Sequence, residues 1–170
     1  MSWSSRLGAK VGAGTTVSAI AIVGTLVAAA PSSGSKGATC DGRKATIVGT
    51  SKSETIYGTS GADVIVGGGG NDRIYGLGGD DVICGNGGND YLVGGSGDDQ
   101  LFGGDGRDSL DGGSGDDLLD GGAGSDALSG GSGQDLMFGD DTFNYRGDVC
   151  DGGDGNDDQA VACEHIANVP

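Results

Sequence analysis

GTSGADVIV GGGGNDRIY GLGGDDVIC GNGGNDYLV GGSGDDQLF GGDGRDSLD GGSGDDLLD GGAGSDALS GGSGQDLMF, read without a break from Gly58 to Phe138, is one nine-residue unit written nine times. Positions one and four are always Gly, position six is always Asp, and position eight is always a large aliphatic residue, from Ile65 to Met137. Invariance inside a single chain reports geometry. The glycines supply backbone that turns with positive φ without a Cβ clash, so six residues of each unit read as loop. The other three, such as Val64-Ile65-Val66, read as a short strand whose middle side chain points one way and whose neighbours point the other. A unit this small cannot bury its single Ile or Leu alone, so it must stack on copies of itself.

The pattern G-G-x-G-x-D-x-U-x resembles the calcium-binding nonapeptide of the repeats-in-toxin (RTX, or haemolysin-type) family, and the resemblance covers about half of the chain. It implies an all-β fold, a right-handed parallel β-roll or β-helix solenoid with two units per turn, and calcium ions held between the loops of successive turns. Under that arrangement Asp63, Asp81, Asp99, Asp117 and Asp135 form one column, and Asp72, Asp90, Asp108 and Asp126 form another. At the ~4.8 Å spacing of neighbouring strands, two such charges repel by ~1 kcal/mol even in water. A hard divalent cation removes this cost, because calcium takes six to eight oxygens from carboxylates and carbonyls in a flexible geometry. With ligands shared between alternate units, nine units hold about seven complete sites.

Asp is also a common turn former, and that accounts for position five, where Ala62, Asn71, Asp80, Asn89, Asp98, Arg107, Asp116, Ser125 and Gln134 vary. It does not account for position six, which never becomes Asn or Ser. Calcium, neutralising this column, is expected to couple binding to folding. Acid, protonating it, is expected to release the metal and unfold the roll.

Residues 1–30 have the layout of a secretory signal: Arg6 and Lys10, then the uncharged run from Val17 to Ala30 ending in three alanines. Residues 31–39 read as a flexible leader. Residues 40–57 keep the nine-residue register as degenerate capping repeats. Ile47 and Ile56 stand at position eight, Ala45 and Glu54 stand in place of the ligand Asp, and Arg43 and Lys52 stand in place of the fourth-position Gly.

Residues 139–170 break the frame and read as a C-terminal cap, with Phe143, Tyr145 and Val149 as its apolar cover. One loop within it, Gly152 to Asp157, repeats the first six positions out of register, which makes Asp157 a further metal candidate. Its eighth position would be Gln159, and the segment from Gln159 to Val169 suits either helix or strand.

Four cysteines behind a signal read as two disulfides with three connectivities open. Cys150 and Cys163 enclose the odd loop, and pairing them leaves Cys40 with Cys84. A Cys40 that simply began the roll would lie two turns, ~10 Å, from Cys84, so this bond requires the leader to fold back along the outside. A zinc site would need paired C-x-x-C spacing, which is lacking.

Loss of Arg6 and Lys10 with the signal leaves seven basic against 25 acidic residues, a net charge of about −18, which argues against nucleic acid as a partner. No second hydrophobic stretch exists, so no membrane contact is expected after signal removal. No catalytic constellation is found: His165 is the only histidine, and the paired carboxylates recur as loop residues. The chain resembles small secreted calcium-binding repeat proteins of actinobacteria and is read as a binding protein, not an enzyme. An adhesion or matrix spacer touching cell wall or glycans through outward Tyr75, Tyr91, Phe102 and Phe138 is one alternative; an enzyme accessory or unrecognised hydrolase is another.

Overall fold

The computed structural model describes residues 37–139, 147–154, 158–163 and 165–167. The segments read as signal and most of the leader, together with Phe143, Tyr145 and Asp157, lie outside the described residues. β1 (Thr39–Cys40) and β2 (Arg43–Lys44) form an antiparallel hairpin. From there the chain alternates between two parallel sheets through β3 (Ile47–Val48), β4 (Thr55–Tyr57), β5 (Val64–Gly69), β6 (Arg73–Tyr75), β7 (Val82–Gly87), β8 (Tyr91–Ser96), β9 (Gln100–Gly106), β10 (Ser109–Ser114), β11 (Leu118–Gly124), β12 (Ala127–Ser132), β13 (Leu136–Phe138), β14 (Val149–Gly153), β15 (Gln159–Val161) and β16 (His165–Ala167). Odd-numbered strands from β3 make one seven-stranded sheet and even-numbered strands from β4 the other, each in sequence order. This is a parallel β-roll with two units per turn.

The pairing register is 18 residues throughout the repeats: Ile65 lies beside Ile83, Ile83 beside Leu101, and Leu92 beside Leu110. Position eight therefore stacks on itself. Ile65, Ile74, Ile83, Leu92, Leu101, Leu119 and Met137 are fully buried in one core between the sheets, and Ile56, Leu110, Leu128 and Cys150 continue it. Each such burial is worth about 1.5–3 kcal/mol, but only if the coils above and below are formed. No helix long and apolar enough to cross a membrane is found among the described residues.

Two features depart from the sequence reading. Most repeat strands run six or seven residues rather than three, because the first loop residues also lie parallel to their copies 18 residues on, Gly68 beside Asn86 and Gly104 beside Gly122. Residues 39–44 are also not a loop of the roll. They form the hairpin, which lies against the outer face of the odd-numbered sheet, where Cys40 packs with Val66, Val82, Cys84 and Phe102. The Cys40–Cys84 disulfide holds it there with a Cα–Cα distance of 5.7 Å. Fold-back of the leader is what brings the two cysteines within reach. Ile47 and Ile56 do stack under the roll, with Ile47 beside Ile65 and Ile56 beside Ile74.

Candidate metal centre

Each position-six aspartate links two coils. The backbone NH of Asp63, Asp72, Asp81, Asp90, Asp99, Asp108 and Asp117 donates to Oδ1 of the aspartate 18 residues later, at 2.8–3.0 Å. Two columns result, as the alternating units require: Asp63, Asp81, Asp99, Asp117 and Asp135, and Asp72, Asp90, Asp108 and Asp126. Their side chains are buried, from Asp81 at 0 % to Asp63 at 8 % exposure.

The other oxygen is where the columns become unusual. Oδ2 of Asp72, Asp81, Asp90, Asp99, Asp108, Asp117 and Asp135 is buried without a hydrogen-bond partner. A buried, unpaired carboxylate oxygen is costly, and each of these recurs beside the next. Burial is the main cause that pushes the acids up from 3.8, Asp72, Asp81, Asp99 and Asp108 to about 6 and Asp117 to about 7; Asp90 and Asp135 rise for the same reason. The backbone NH on Oδ1 works against the rise, and neighbouring column members such as Asp90 for Asp108 add to it.

These oxygens face the invariant position-one glycines. A Cβ on Gly85 would press on Asp90 Oδ2 and sit 2.7 Å from the Gly103 carbonyl. On Gly103 it would sit 2.5 Å from both Asp108 Oδ2 and the Gly121 carbonyl. Position one is thus Gly because of close approach, not because of positive φ as the sequence suggested. Positive φ belongs to position four, from Gly70 to Gly133, and to position two, where Leu77 and Asn86 adopt it at 81° and 74°.

Each turn so brings a carboxylate oxygen and a backbone carbonyl together beside a missing Cβ. All are hard oxygen donors of the kind calcium takes. Among the described residues no three His, Cys, Asp or Glu side chains converge, so a cation here has to draw on main-chain carbonyls as well. From Gly76 to Gly139 the sequence offers one basic residue, Arg107, against 13 aspartates, so a bound cation is the obvious source of countercharge.

Asp63 stands apart from the other candidates. Its Oδ2 accepts the backbone NH and the hydroxyl of Thr59, both at 2.8 Å, and its Oδ1 accepts the Thr46 hydroxyl at 3.2 Å. Glu54, one coil before Asp72 in its column, likewise accepts the Thr50 NH at 2.7 Å. Asp157 falls outside the described residues. Two residues absent from the sequence reading occupy the columns instead: the Asp126 NH donates to Asp148 Oδ1 at 2.8 Å and the Asp135 NH to Asp158 Oδ1 at 3.0 Å. A usable signal for Asp148 was the string Asp148-Val149-Cys150-Asp151-Gly152-Gly153, which repeats positions six to nine and then one and two.

Position five is not a local turn former either. Asn71, Asp80, Asn89, Asp98 and Asp116 each accept, through Oδ1, the backbone NH of the residue 18 later. This exposed ladder runs in the opposite sense to the buried one, and it breaks at Arg107, whose guanidinium cannot accept.

The RTX calcium-binding nonapeptide repeat matches the sequence in four copies, over residues 48–83, 85–119, 102–137 and 111–144. Comparison with curated proteins returns no significant match. The internal period, the parallel roll and the aspartate columns agree with the matched pattern over more than half of the chain. This protein is a member of the RTX calcium-binding nonapeptide repeat family.

Proposed function

We propose that the chain is a secreted protein whose roll folds as it binds several calcium ions, with Asp72, Asp81, Asp90, Asp99, Asp108, Asp117, Asp126 and Asp135 as ligands. The observation that carries this is the buried Oδ2 without a hydrogen-bond partner at Asp72, Asp81, Asp90, Asp99, Asp108, Asp117 and Asp135. Such a run is costly in an empty roll and is relieved by divalent cations shared between turns. Asp63 is left out of the set because the protein already donates to both of its oxygens. The activity is binding rather than turnover, with affinity in the extracellular range of roughly 10⁻⁴ to 10⁻³ M.

Far-UV circular dichroism of the oxidised chain during calcium titration from chelator tests the reading. A cooperative coil-to-β transition with calcium, and none with magnesium, is expected. A roll complete along its length in chelator would make the aspartates turn formers and sink the proposal. Secretion rests on the pattern of residues 1–30 and is supported by two disulfides, which persist in oxidising compartments. Intact mass of protein recovered from culture medium should show that segment removed.

A second reading, a glycan-contacting spacer, is favoured by one observation. Tyr57 and Tyr75 stack at 5.2 Å, Tyr91 meets Tyr75 edge-on at 6.1 Å, and Tyr57 and Tyr91 are exposed on the even-numbered sheet. Phe102 does not join this surface, since it packs with the hairpin cluster. Pull-down on cell-wall polysaccharide with and without Tyr75→Ala, in calcium, separates this role from calcium binding alone.

A further inference from the structure

Two aspartates outside the nine-residue frame stand in the ligand register. Asp148 follows Asp126 by 22 residues and Asp158 follows Asp135 by 23, where the repeats use 18. The extra residues change nothing in the column itself. Each Oδ1 accepts the same backbone NH as its counterparts in the repeats, Asp148 is 0 % and Asp158 3 % exposed, and each Oδ2 is buried without a hydrogen-bond partner.

Asp148 also has the glycine and the carbonyl that the repeats place around this oxygen. A Cβ on Gly139 would lie 2.8 Å from Asp148 Oδ2 and 2.6 Å from the Ala162 carbonyl. One turn earlier, a Cβ on Gly121 would lie 2.7 Å from Asp126 Oδ2 and 2.8 Å from the Gly139 carbonyl. The strands that follow keep the register too, β14 on β12 and β15 on β13. Cys150, two residues past Asp148, is bonded to Cys163, five past Asp158, with a Cα–Cα distance of 6.0 Å, so the disulfide ties the strand that follows Asp148 to the segment that carries Asp158.

We propose that Asp148 and Asp158 are calcium ligands, so that the C-terminal cap adds one cation site to the end of each column. This rests on the reading of the columns as calcium sites. It goes beyond the nonapeptide pattern, because neither residue belongs to a G-G-x-G-x-D loop in register. The disulfide fixes these two segments to each other where an 18-residue spacing sets the register elsewhere.

The test is the number of ions bound at saturating calcium, by equilibrium dialysis with elemental analysis, for the wild-type chain, Asp148→Asn, Asp158→Asn and Asp157→Asn. The first two variants should each bind one ion fewer, and Asp157→Asn should match the wild type. Unchanged stoichiometry in both, or a loss confined to Asp157→Asn, overturns the proposal. A wild-type chain that binds no calcium is a different failure, of the column reading itself. Should an Asn variant not fold, crystals of the calcium-loaded wild type decide: anomalous density within about 2.6 Å of Asp148 Oδ2 and Asp158 Oδ2 is expected. Density at Asp117 but not at these two atoms overturns the proposal.

Discussion

At the N-terminal end of the roll, Asp63 receives the Thr46 hydroxyl on one oxygen and the Thr59 NH and hydroxyl on the other. Two turns further on, Asp99 receives the Asp81 NH on Oδ1 and nothing on Oδ2. The same position of the same repeat is finished by protein donors in one place and keeps a buried oxygen without a hydrogen-bond partner in the other. The N-terminal end has further independent support: the hairpin, its disulfide, and a second apolar cluster of Cys40, Val66 and Val82. The contrast teaches that the completion of a column carboxylate is local, set by which donors its own loop and the preceding coil supply, and under the proposed function the need for a cation is local with it.

Chelation should expose the contrast most strongly. Amide exchange in strands β7 to β13 should accelerate by about 100-fold or more on calcium removal, since a site held at a hundredfold excess over its Kd contributes about 2.7 kcal/mol. Protection around Thr46 to Val66 should change far less. A uniform loss along the chain would break the comparison.

Next in size is pH in chelator. The shifted aspartates have folded values near 6 to 7 against 3.8 for the free acid, so their contribution is fully present below about pH 4 and is lost as pH rises through 6 to 7. The metal-free roll should therefore be more ordered at pH 4 than at pH 8 by circular dichroism. The same measurement weighs this outcome against the expectation that acid unfolds the roll, under which the pH 4 sample in chelator would be the less ordered one.

Reduction of Cys40–Cys84, by Cys84→Ser with Cys40→Ser, should cost about 2–4 kcal/mol in thermal unfolding and fall on the N-terminal end. Glycine substitutions sharpen the same contrast. Gly94→Ala drives a Cβ into Asp99 Oδ2 and the Gly112 carbonyl and should cost about 1–3 kcal/mol. Gly61→Ala meets nothing within 4 Å and has no positive φ, so its effect should stay within about 0.5 kcal/mol. Thr59→Val, which removes one of the donors to Asp63, should cost about 1 kcal/mol, with calcium stoichiometry unchanged.

Much of the site was legible because a repeat reports on itself. Invariant Asp at position six and aliphatic at position eight led to the two columns and the core, and both are present. Roles that depend on a neighbouring coil were not legible. Position-one Gly was read as a turn residue because nothing in a linear string shows that the Gly112 carbonyl comes over Gly94. Asp148 and Asp158 were missed because insertions of four and five residues hide a register that strand pairing restores. Asp63 looked like every other position-six residue, since its two threonine partners come from its own loop and from the coil before it.

The nine-residue period by itself determined the parallel roll, its buried aliphatic column and the stacking of like charges. It could do so because a short unit with one apolar residue has no other way to bury it. Only the tertiary structure decided which carboxylates are completed by protein and which are left open, where the hairpin lies, and where each column ends. The physical reason is that a hydrogen-bond partner or a blocking carbonyl belongs to whichever coil arrives 18, 22 or 23 residues later. That arrival is a property of the stacked chain.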